Sequence, residues 1–475
     1  MNNDTGSSTW SPRTLVLLAL PFVVVLLSAM VWVTAVSRSG FWADDFLNLT
    51  HYARSLGDLS NDHLNTGHYI INVFWAVGTL AFGSGSVVPF LLLNTFVFAA
   101  GLVIWLRTGT RTRWGSVEAW WIGGLFIATT AWLPTTLWSS NITHSGGFLA
   151  LGAGLFAHER CMSARTARSA VLWSLASGTA WTLAVVSNIL YIGLLAFAGY
   201  CAVHQVLKIR RFRLSTLAAS AAVGSWNLLI PVVFFATVAY PGTTANPVYA
   251  TNGLRFVHQN LRYYRETLAP TSALTTVYIA MLLMGIVGAV AAVRRRDWFP
   301  IAVLGAAGVT TLPALVQSQQ HDIHYMAMPL LLTFSALVAG ARPILLGHTR
   351  QLVRLKRALF LAALATLVLI FRQGANLRSY FVQTPYGDAL GLAAFRSELA
   401  SLTPENSTIC AKLDLDAAHQ AFLIAAMSGE DGFLVPPISA GRAYLVSPGQ
   451  TCPAHGSASD ITVSLDARGD FVAAR

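Results

Sequence analysis

Charge is what this chain has least of. Asp, Glu, Lys and Arg supply only 11% of its 475 residues, while 55% are hydrophobic, a balance that excludes a large soluble fold and marks a polytopic membrane protein. Cysteine is scarce too, with four residues, and no CxxC pair or His/Cys cluster offers a structural zinc site. The sequence has no Walker A loop, no Gly-rich dinucleotide fingerprint and no GxSxG elbow. Those absences tell against ATP-driven transport, nucleotide-dependent redox chemistry and serine-based lipid hydrolysis. Nor is a cleavage pattern of small residues evident after the first apolar run, residues 15–36, which is long enough to span and reads as a retained helix.

What is present is a succession of apolar runs over nearly the first 370 residues. Residues 1–14 form a polar tail. Spans are predicted at about 15–36, 87–106, 117–133, 142–157, 170–186, 189–206, 214–239, 272–293, 299–316, 325–341 and 358–371. The expected fold is therefore a polytopic α-helical membrane protein with about 11 transmembrane helices, and Pro231 should kink the seventh.

The formal net charge of +11 would suggest nucleic acid in a soluble protein, but here the basic residues sit in short clusters between spans. Arg107, Arg111 and Arg113 form the first, followed by Arg160, Arg165 and Arg168, then Lys208, Arg210, Arg211 and Arg213, then Arg294, Arg295 and Arg296, and finally Arg342, Arg350, Arg354, Lys356 and Arg357. Counting the spans puts all of them on one side, which is the positive-inside signature of a multi-pass plasma-membrane protein with a cytoplasmic N-terminus. Their expected partners are anionic membrane lipids, and no nucleic acid is implied.

The opposite face collects the other ionisable groups. The stretch Phe41-Trp42-Ala43-Asp44-Asp45-Phe46 follows the first span, and His63 and His68 lie in the same loop, residues 40–86. Trp42, Phe46, Leu49, Tyr52 and Leu56 recur at near-helical spacing, as in a helix lying in the interface, and residues 69–82 are too short for a perpendicular span. Asn141 and His144 open the 142–157 span. A long polar loop, residues 240–271, interleaves Tyr249, Phe256, Tyr263 and Tyr264 with Arg255, His258, Arg262, Arg265 and Glu266. Residues 317–325, with His321, Asp322, His324 and Tyr325, join two late spans. Any one of these histidines could simply be a wetted loop tip. As a set they are too many for a chain with so few charges.

From 372 to 475 the composition changes. Counted from Gln373, this tail has ten acidic residues to six basic ones, and its prolines and short runs, such as Ala443-Tyr444-Leu445-Val446 and Ile461-Thr462-Val463-Ser464-Leu465, suggest a small C-terminal extracytoplasmic α/β domain. Cys410 and Cys452 share that compartment, where a disulfide between them is expected, whereas Cys161 and Cys201 fall near the cytoplasmic ends of spans.

This arrangement resembles the GT-C superfamily of integral membrane glycosyltransferases, most of all its bacterial branch of cell-wall arabinofuranosyltransferases and protein mannosyltransferases. The resemblance covers residues 10–371 by layout. It rests on Asp44-Asp45 after the first span, an interfacial helix pair, Phe82-Gly83-Ser84-Gly85, a later loop facing the same cavity, His324-Tyr325 with Pro329, and a soluble C-terminal domain. Where an arginine commonly precedes the late tyrosine, this chain has His324. The resemblance implies transfer of a sugar from a polyprenyl-phosphate donor to an envelope glycan, lipid or protein acceptor, with Asp44 as the preferred base.

The chemistry asks for a carboxylate to take the proton of an attacking hydroxyl, and for cations or a divalent ion, Mg or Mn, to meet the charge of the leaving phosphate. Spacing alone does not choose between Asp44 and Asp45 as base, and either could hold the metal or orient His63 or His68. Arg255, Arg262, His321 and His324 are candidate phosphate contacts, with His258 in the same loop, and Trp42, Tyr263, Tyr264 and Tyr325 are candidate platforms for sugar faces. The main alternative is a polytopic transporter or lipid flippase that uses the acidic pair for coupling, although no internal repeat or paired broken helices are visible. A membrane acyltransferase using His321-Asp322 is a weaker third reading.

Overall fold

A computed structural model describes the chain over residues 88–129, 142–212, 256–268, 285–316 and 323–345 and in four short strands after 408, with scattered positions elsewhere. The described helices are α1 (Val88–Thr112), α2 (Ser116–Ala128), α3 (Ile142–Ser163), α4 (Ala167–Ser187), α5 (Leu194–Arg210), α6 (Val257–Leu268), α7 (Gly285–Arg294), α8 (Phe299–Val316) and α9 (Ala327–Leu345). Short 3-10 turns, Ile189–Gly193 and Ile323–Met326, lead into α5 and α9.

Five stretches are long and apolar enough to cross a bilayer: Val88–Thr110, Ala167–Ser187, Tyr191–Arg210, Phe299–Val316 and His324–Arg342. The protein is thus a mostly helical, multi-pass membrane protein. The expected spans at 15–36 and 358–371, and nearly all of 214–239 with Pro231, lie outside the described residues, so the eleven-span count is not established.

Within a bilayer the helices gain little from the hydrophobic effect on meeting one another, and close packing has to hold them. Small residues provide it here. At Gly101 of α1 an added Cβ would run into the backbone of Phe148 and Leu149, and at Gly152 of α3 it would lie 2.6 Å from the Gly101 carbonyl oxygen. The α1–α3 crossing therefore requires glycine on both sides, and α3 packs as closely on α4. Around it Trp105, Trp114, Trp132, Trp181, Phe98, Phe126, Phe148, Phe197 and Phe299 are fully buried.

A buried indole N–H must find an acceptor, and each of these four does. Trp105 donates to Ser335 Oγ (2.9 Å), Trp114 to the Leu106 carbonyl (3.0 Å), Trp132 to the Ile127 carbonyl (2.9 Å) and Trp181 to Ser177 Oγ (3.0 Å). A second polar cross-link joins α4 to α5, where Ser174 Oγ donates to Gln205 Oε1 at 2.7 Å, and Gln205 Nε2 lies 3.2 Å from His158 Nδ1 on α3. Leu172, Leu183, Val203, Leu207 and Leu312 are exposed, as suits side chains that face lipid tails.

All the described spans run between the same two ends. At one, Arg113 Nε pairs with Glu159 at 3.1 Å, its guanidinium lies 4.5 Å over the Phe299 ring, and Arg342 Nη1 donates to the Arg113 carbonyl at 3.2 Å. This end gathers Arg107, Arg160, Arg210 and Arg294 as well. The other end carries His144, Asn188 and His324. On α3 the sixteen residue steps from His144 to Arg160 span about 24 Å at helical rise, which is close to the thickness of a hydrocarbon core.

After residue 408 the strands β1 (Ile409–Lys412), β2 (Ala443–Val446), β3 (Ile461–Leu465) and β4 (Phe471–Ala474) form one sheet in the order β2-β1-β3-β4. β1 is parallel to both β2 and β3, and β4 is antiparallel to β3. The two apolar runs singled out in the sequence become β2 and β3. The expected Cys410–Cys452 disulfide finds no support. Cys410 sits on β1 opposite Tyr444 and Thr462, Cys452 lies outside the described residues, and Cys161 and Cys201 are free thiols.

Candidate functional site

The site is built around the first turn of α3. Thr143, His144 and Ser145 are all buried there, although they open a helix and would ordinarily be wetted. What covers them is the junction of α4 and α5. α4 stops at Asn188, whose extended backbone serves as its C-cap, with its N–H on the Ala184 carbonyl. The following 3-10 turn, in which Tyr191 N–H donates to the Asn188 carbonyl at 2.9 Å, swings the Tyr191 ring back over α3. Gly147 makes room for it, because a Cβ at that position would lie inside the Tyr191 ring.

This packing holds His144 on both ring nitrogens. Nδ1 is 2.8 Å from Tyr191 Oη, and Nε2 is 3.1 Å from Asn188 Nδ2. Both ring nitrogens are thus engaged, Nδ1 by the tyrosine hydroxyl and Nε2 by the asparagine side-chain amide. The tyrosine proton in turn points at the His144 carbonyl, 3.4 Å away. Imidazole and phenol are thereby held in one orientation.

The turn before α9 completes the cluster. The His324 ring lies edge-on to His144, with centroids 4.7 Å apart at 76°, and Tyr325 lies 4.2 Å from His324 and 5.5 Å from His144. His324 is buried, and Tyr325 is half-buried. Three chain segments thus deliver His144, Asn188, Tyr191, His324 and Tyr325 to one place.

Beside it lies α6, a helix within the loop read from the sequence as 240–271. Asn260, Tyr264 and Leu268 fall at i, i+4 and i+8 on its inner face, and Asn260 Nδ2 donates to the Leu315 carbonyl at 2.8 Å, at the end of α8. Such a bond satisfies a terminal carbonyl that the helix leaves open. α6 also touches the 3-10 turn that bears His324 and Tyr325. Its outer face exposes His258, Arg262, Arg265 and Glu266. Arg262 Nε reaches Glu266 at 2.9 Å and Arg265 Nη2 reaches the same oxygen at 3.3 Å. The hydrogen bond from Arg262 holds the Glu266 carboxyl below the usual carboxylate range. Tyr264 is packed inward, and Tyr263 beside it, with ring centroids 5.3 Å apart, is half-buried.

No family model and no curated protein matches this sequence. Among solved structures, the archaeal oligosaccharyltransferase AglB from Archaeoglobus fulgidus, in complex with an inhibitory peptide and a dolichol-phosphate, is similar at a TM-score of 0.44 and 13% identity. The match covers 88% of this chain and 64% of that one. At that level the similarity decides neither family nor activity.

Of the residues named from the sequence, the structure brings His324 and Tyr325 together with His144 and sets Tyr263, Tyr264, His258 and Arg262 on the neighbouring helix. Asp44, Asp45, His63, His68, Arg255 and His321, and with them Trp42, lie outside the described residues. Among the described residues no group of His, Cys, Asp or Glu is arranged to hold a metal ion. Sequence reasoning missed Asn188 and Tyr191. The available signal was an asparagine at a junction between two apolar runs with almost no loop, where a buried amide needs a partner.

Proposed function

We propose that this protein is a GT-C-type glycosyltransferase that moves a sugar from a polyprenyl-phosphate donor to an envelope glycan, lipid or protein. The observation that carries this reading is the cluster of His144, Asn188, Tyr191, His324 and Tyr325, hydrogen-bonded around His144 and joined to His324 and Tyr325 by ring contacts, gathered at the end of the bundle opposite the arginines. Ionisable groups buried at a membrane boundary point to a ligand or reaction site, and the span order read from the sequence would bring Asp44-Asp45 to this same end. In the proposed orientation the cluster faces the extracytoplasmic side.

In the reaction, an acceptor hydroxyl oxygen attacks the anomeric carbon and forms the new glycosidic bond. The bond from that carbon to the phosphate oxygen breaks, and the polyprenyl phosphate leaves with the electron pair. The hydroxyl proton passes to Asp44 or Asp45. A divalent ion on that carboxylate pair would add charge stabilisation, but the steps above do not depend on one. His144, held by Tyr191 and Asn188, packs edge-on against His324, and His324 and Tyr325 orient the leaving phosphate and the sugar, with exposed Arg262 and His258 on α6 at the rim.

The polar-lipid mass spectrum of cells lacking the protein tests the reading. One polyprenyl-phosphate sugar should accumulate and disappear again on complementation. A lipid profile identical to that of the parent strain would reject the proposal.

A further inference from the structure

Along its length α8 changes what it is fastened to. Gly193, the last residue of the 3-10 turn that carries Tyr191, packs so closely on α8 that an added Cβ would run into Thr310 and the Ala306 carbonyl. As far as Thr310, then, α8 is fixed to the α4–α5 junction. Beyond it the fastening is to α6, because Asn260 Nδ2 donates to the Leu315 carbonyl at 2.8 Å and lies 3.5 Å from the Ala314 carbonyl. Asn260 is buried, so this tie is made away from water, where breaking it would leave polar groups unmet.

Pro313 stands between the two fastenings, inside the helix. Proline has no N–H to give the carbonyl four residues back, here that of Val309, and its ring presses on that carbonyl, so the helix loses a bond and bends. The residues just before it work the same way. Thr310 Oγ1 donates to the Ala306 carbonyl at 2.7 Å and Thr311 Oγ1 to the Ala307 carbonyl at 2.8 Å, a back-bonding that bends helices. The last turn of α8 is therefore joined to its own helix by fewer hydrogen bonds than an ordinary turn and is joined directly to α6.

A movement there would reach the site. α6 touches the 3-10 turn that bears His324 and Tyr325, and its exposed face carries His258, Arg262 and Arg265 at i, i+4 and i+7. Arg262 and Arg265 share one oxygen of Glu266, so these three side chains together carry one net positive charge. We propose that α6 and the last turn of α8 move as one body, pivoting at Pro313 and held together by Asn260, so that the cationic face of α6 approaches and leaves the His144 cluster. Asn260 is on this account a positioning residue, and the closed position brings Arg262 to the donor phosphate. That last role rests on the glycosyltransferase reading, whereas the pivot does not.

The test is the distance between two spin labels on the full-length protein in nanodiscs, one at Leu183→Cys, exposed on α4, and one at Gln259→Cys, exposed on α6, with the native cysteines replaced by alanine. The distances should fall into two populations, and saturating undecaprenyl phosphate should enrich one of them. Pro313→Ala, which restores the missing helical bond, should leave a single population. Asn260→Leu, which cuts the tie, should give a broad distribution that Pro313→Ala no longer narrows. A thermal melt confirms that each variant is folded. One narrow population with and without undecaprenyl phosphate, or two populations that survive Pro313→Ala, would overturn the pivot, and two populations in a ratio that undecaprenyl phosphate leaves unchanged would overturn closure on the donor. No turnover enters these distances, so their failure is distinct from a failure of the transfer reading, which the lipid profile decides.

Discussion

The residue that says most about the site is Tyr191. Its hydroxyl lies 2.8 Å from His144 Nδ1 while its ring fills the space left by Gly147, so one side chain both packs the helix and fixes the orientation of the histidine ring. Tyr191→Phe keeps the ring and removes the oxygen. We predict a stability loss of about 1–2 kcal/mol, the usual consequence of leaving a buried donor without its partner, together with a kcat for sugar transfer lowered about tenfold through misorientation and little change in acceptor KM. A lowered melting temperature with unchanged kcat would make Tyr191 a structural cross-link only. At this scale the sequence is partly legible. His144, His324 and Tyr325 stand out as polar residues at the ends of apolar runs, whereas Tyr191 lies inside one and Asn188 just before it. Only the fold of the α4–α5 junction shows where they point.

At the scale of elements, hydropathy locates the long helices well. The start of α3 and both ends of α8 coincide with the predicted spans, because apolar runs bounded by polar residues leave little choice of register. Departures occur where side chains compete for backbone groups. The sequence predicts that α2 reaches residue 133, but it stops at Ala128. There Thr129 Oγ1 donates to the Phe126 carbonyl at 2.6 Å and the Trp132 indole takes the Ile127 carbonyl, consuming acceptors that the next turn would have needed. α6 escapes a hydropathy reading because its inner face is led by Asn260, a buried polar residue that hydropathy scores as exposed.

The turn between α7 and α8 yields a prediction of its own. Arg296 has a positive φ of 57°, and the Asp297 N–H reaches back to the Ala292 carbonyl at 2.9 Å, a helix ending that ordinarily uses glycine at this position. Arg296→Gly should therefore stabilise the protein by about 1 kcal/mol, seen as a higher melting temperature in detergent. An unchanged or lower melting temperature would show that the arginine side chain contributes more than its backbone costs.

At the scale of the whole molecule, the spans sort their ionisable groups by end. Arg107, Arg113, Arg160, Arg210, Arg294 and Arg342 lie at one, and the His144 cluster and α6 lie at the other. This asymmetry is legible in the amino-acid sequence alone, since it needs only the positions of arginines relative to apolar runs. If the arginine end is cytoplasmic, a cysteine at position 295 should be protected from an impermeant thiol reagent in intact cells, and one at position 430 should be labelled. The opposite pattern would invert the topology and move the proposed reaction to the wrong face. The convergence of the site is not legible in that way, because it depends on how α3, the α4–α5 junction and α9 pack, and neither hydropathy nor spacing specifies that.

The central claim is that the chain makes a glycosidic bond with Asp44 or Asp45 as the base. Its most direct test is sugar transfer from a defined polyprenyl-phosphate donor by purified protein in nanodiscs, comparing wild type with Asp44→Asn and Asp45→Asn at matched thermal stability. The wild type should form product, and the variant that loses the base should fall by about 10²–10⁴ in turnover while the other falls less. Wild-type rates in both variants, or movement of lipid across the bilayer with no glycosidic product from the wild type, would contradict the account.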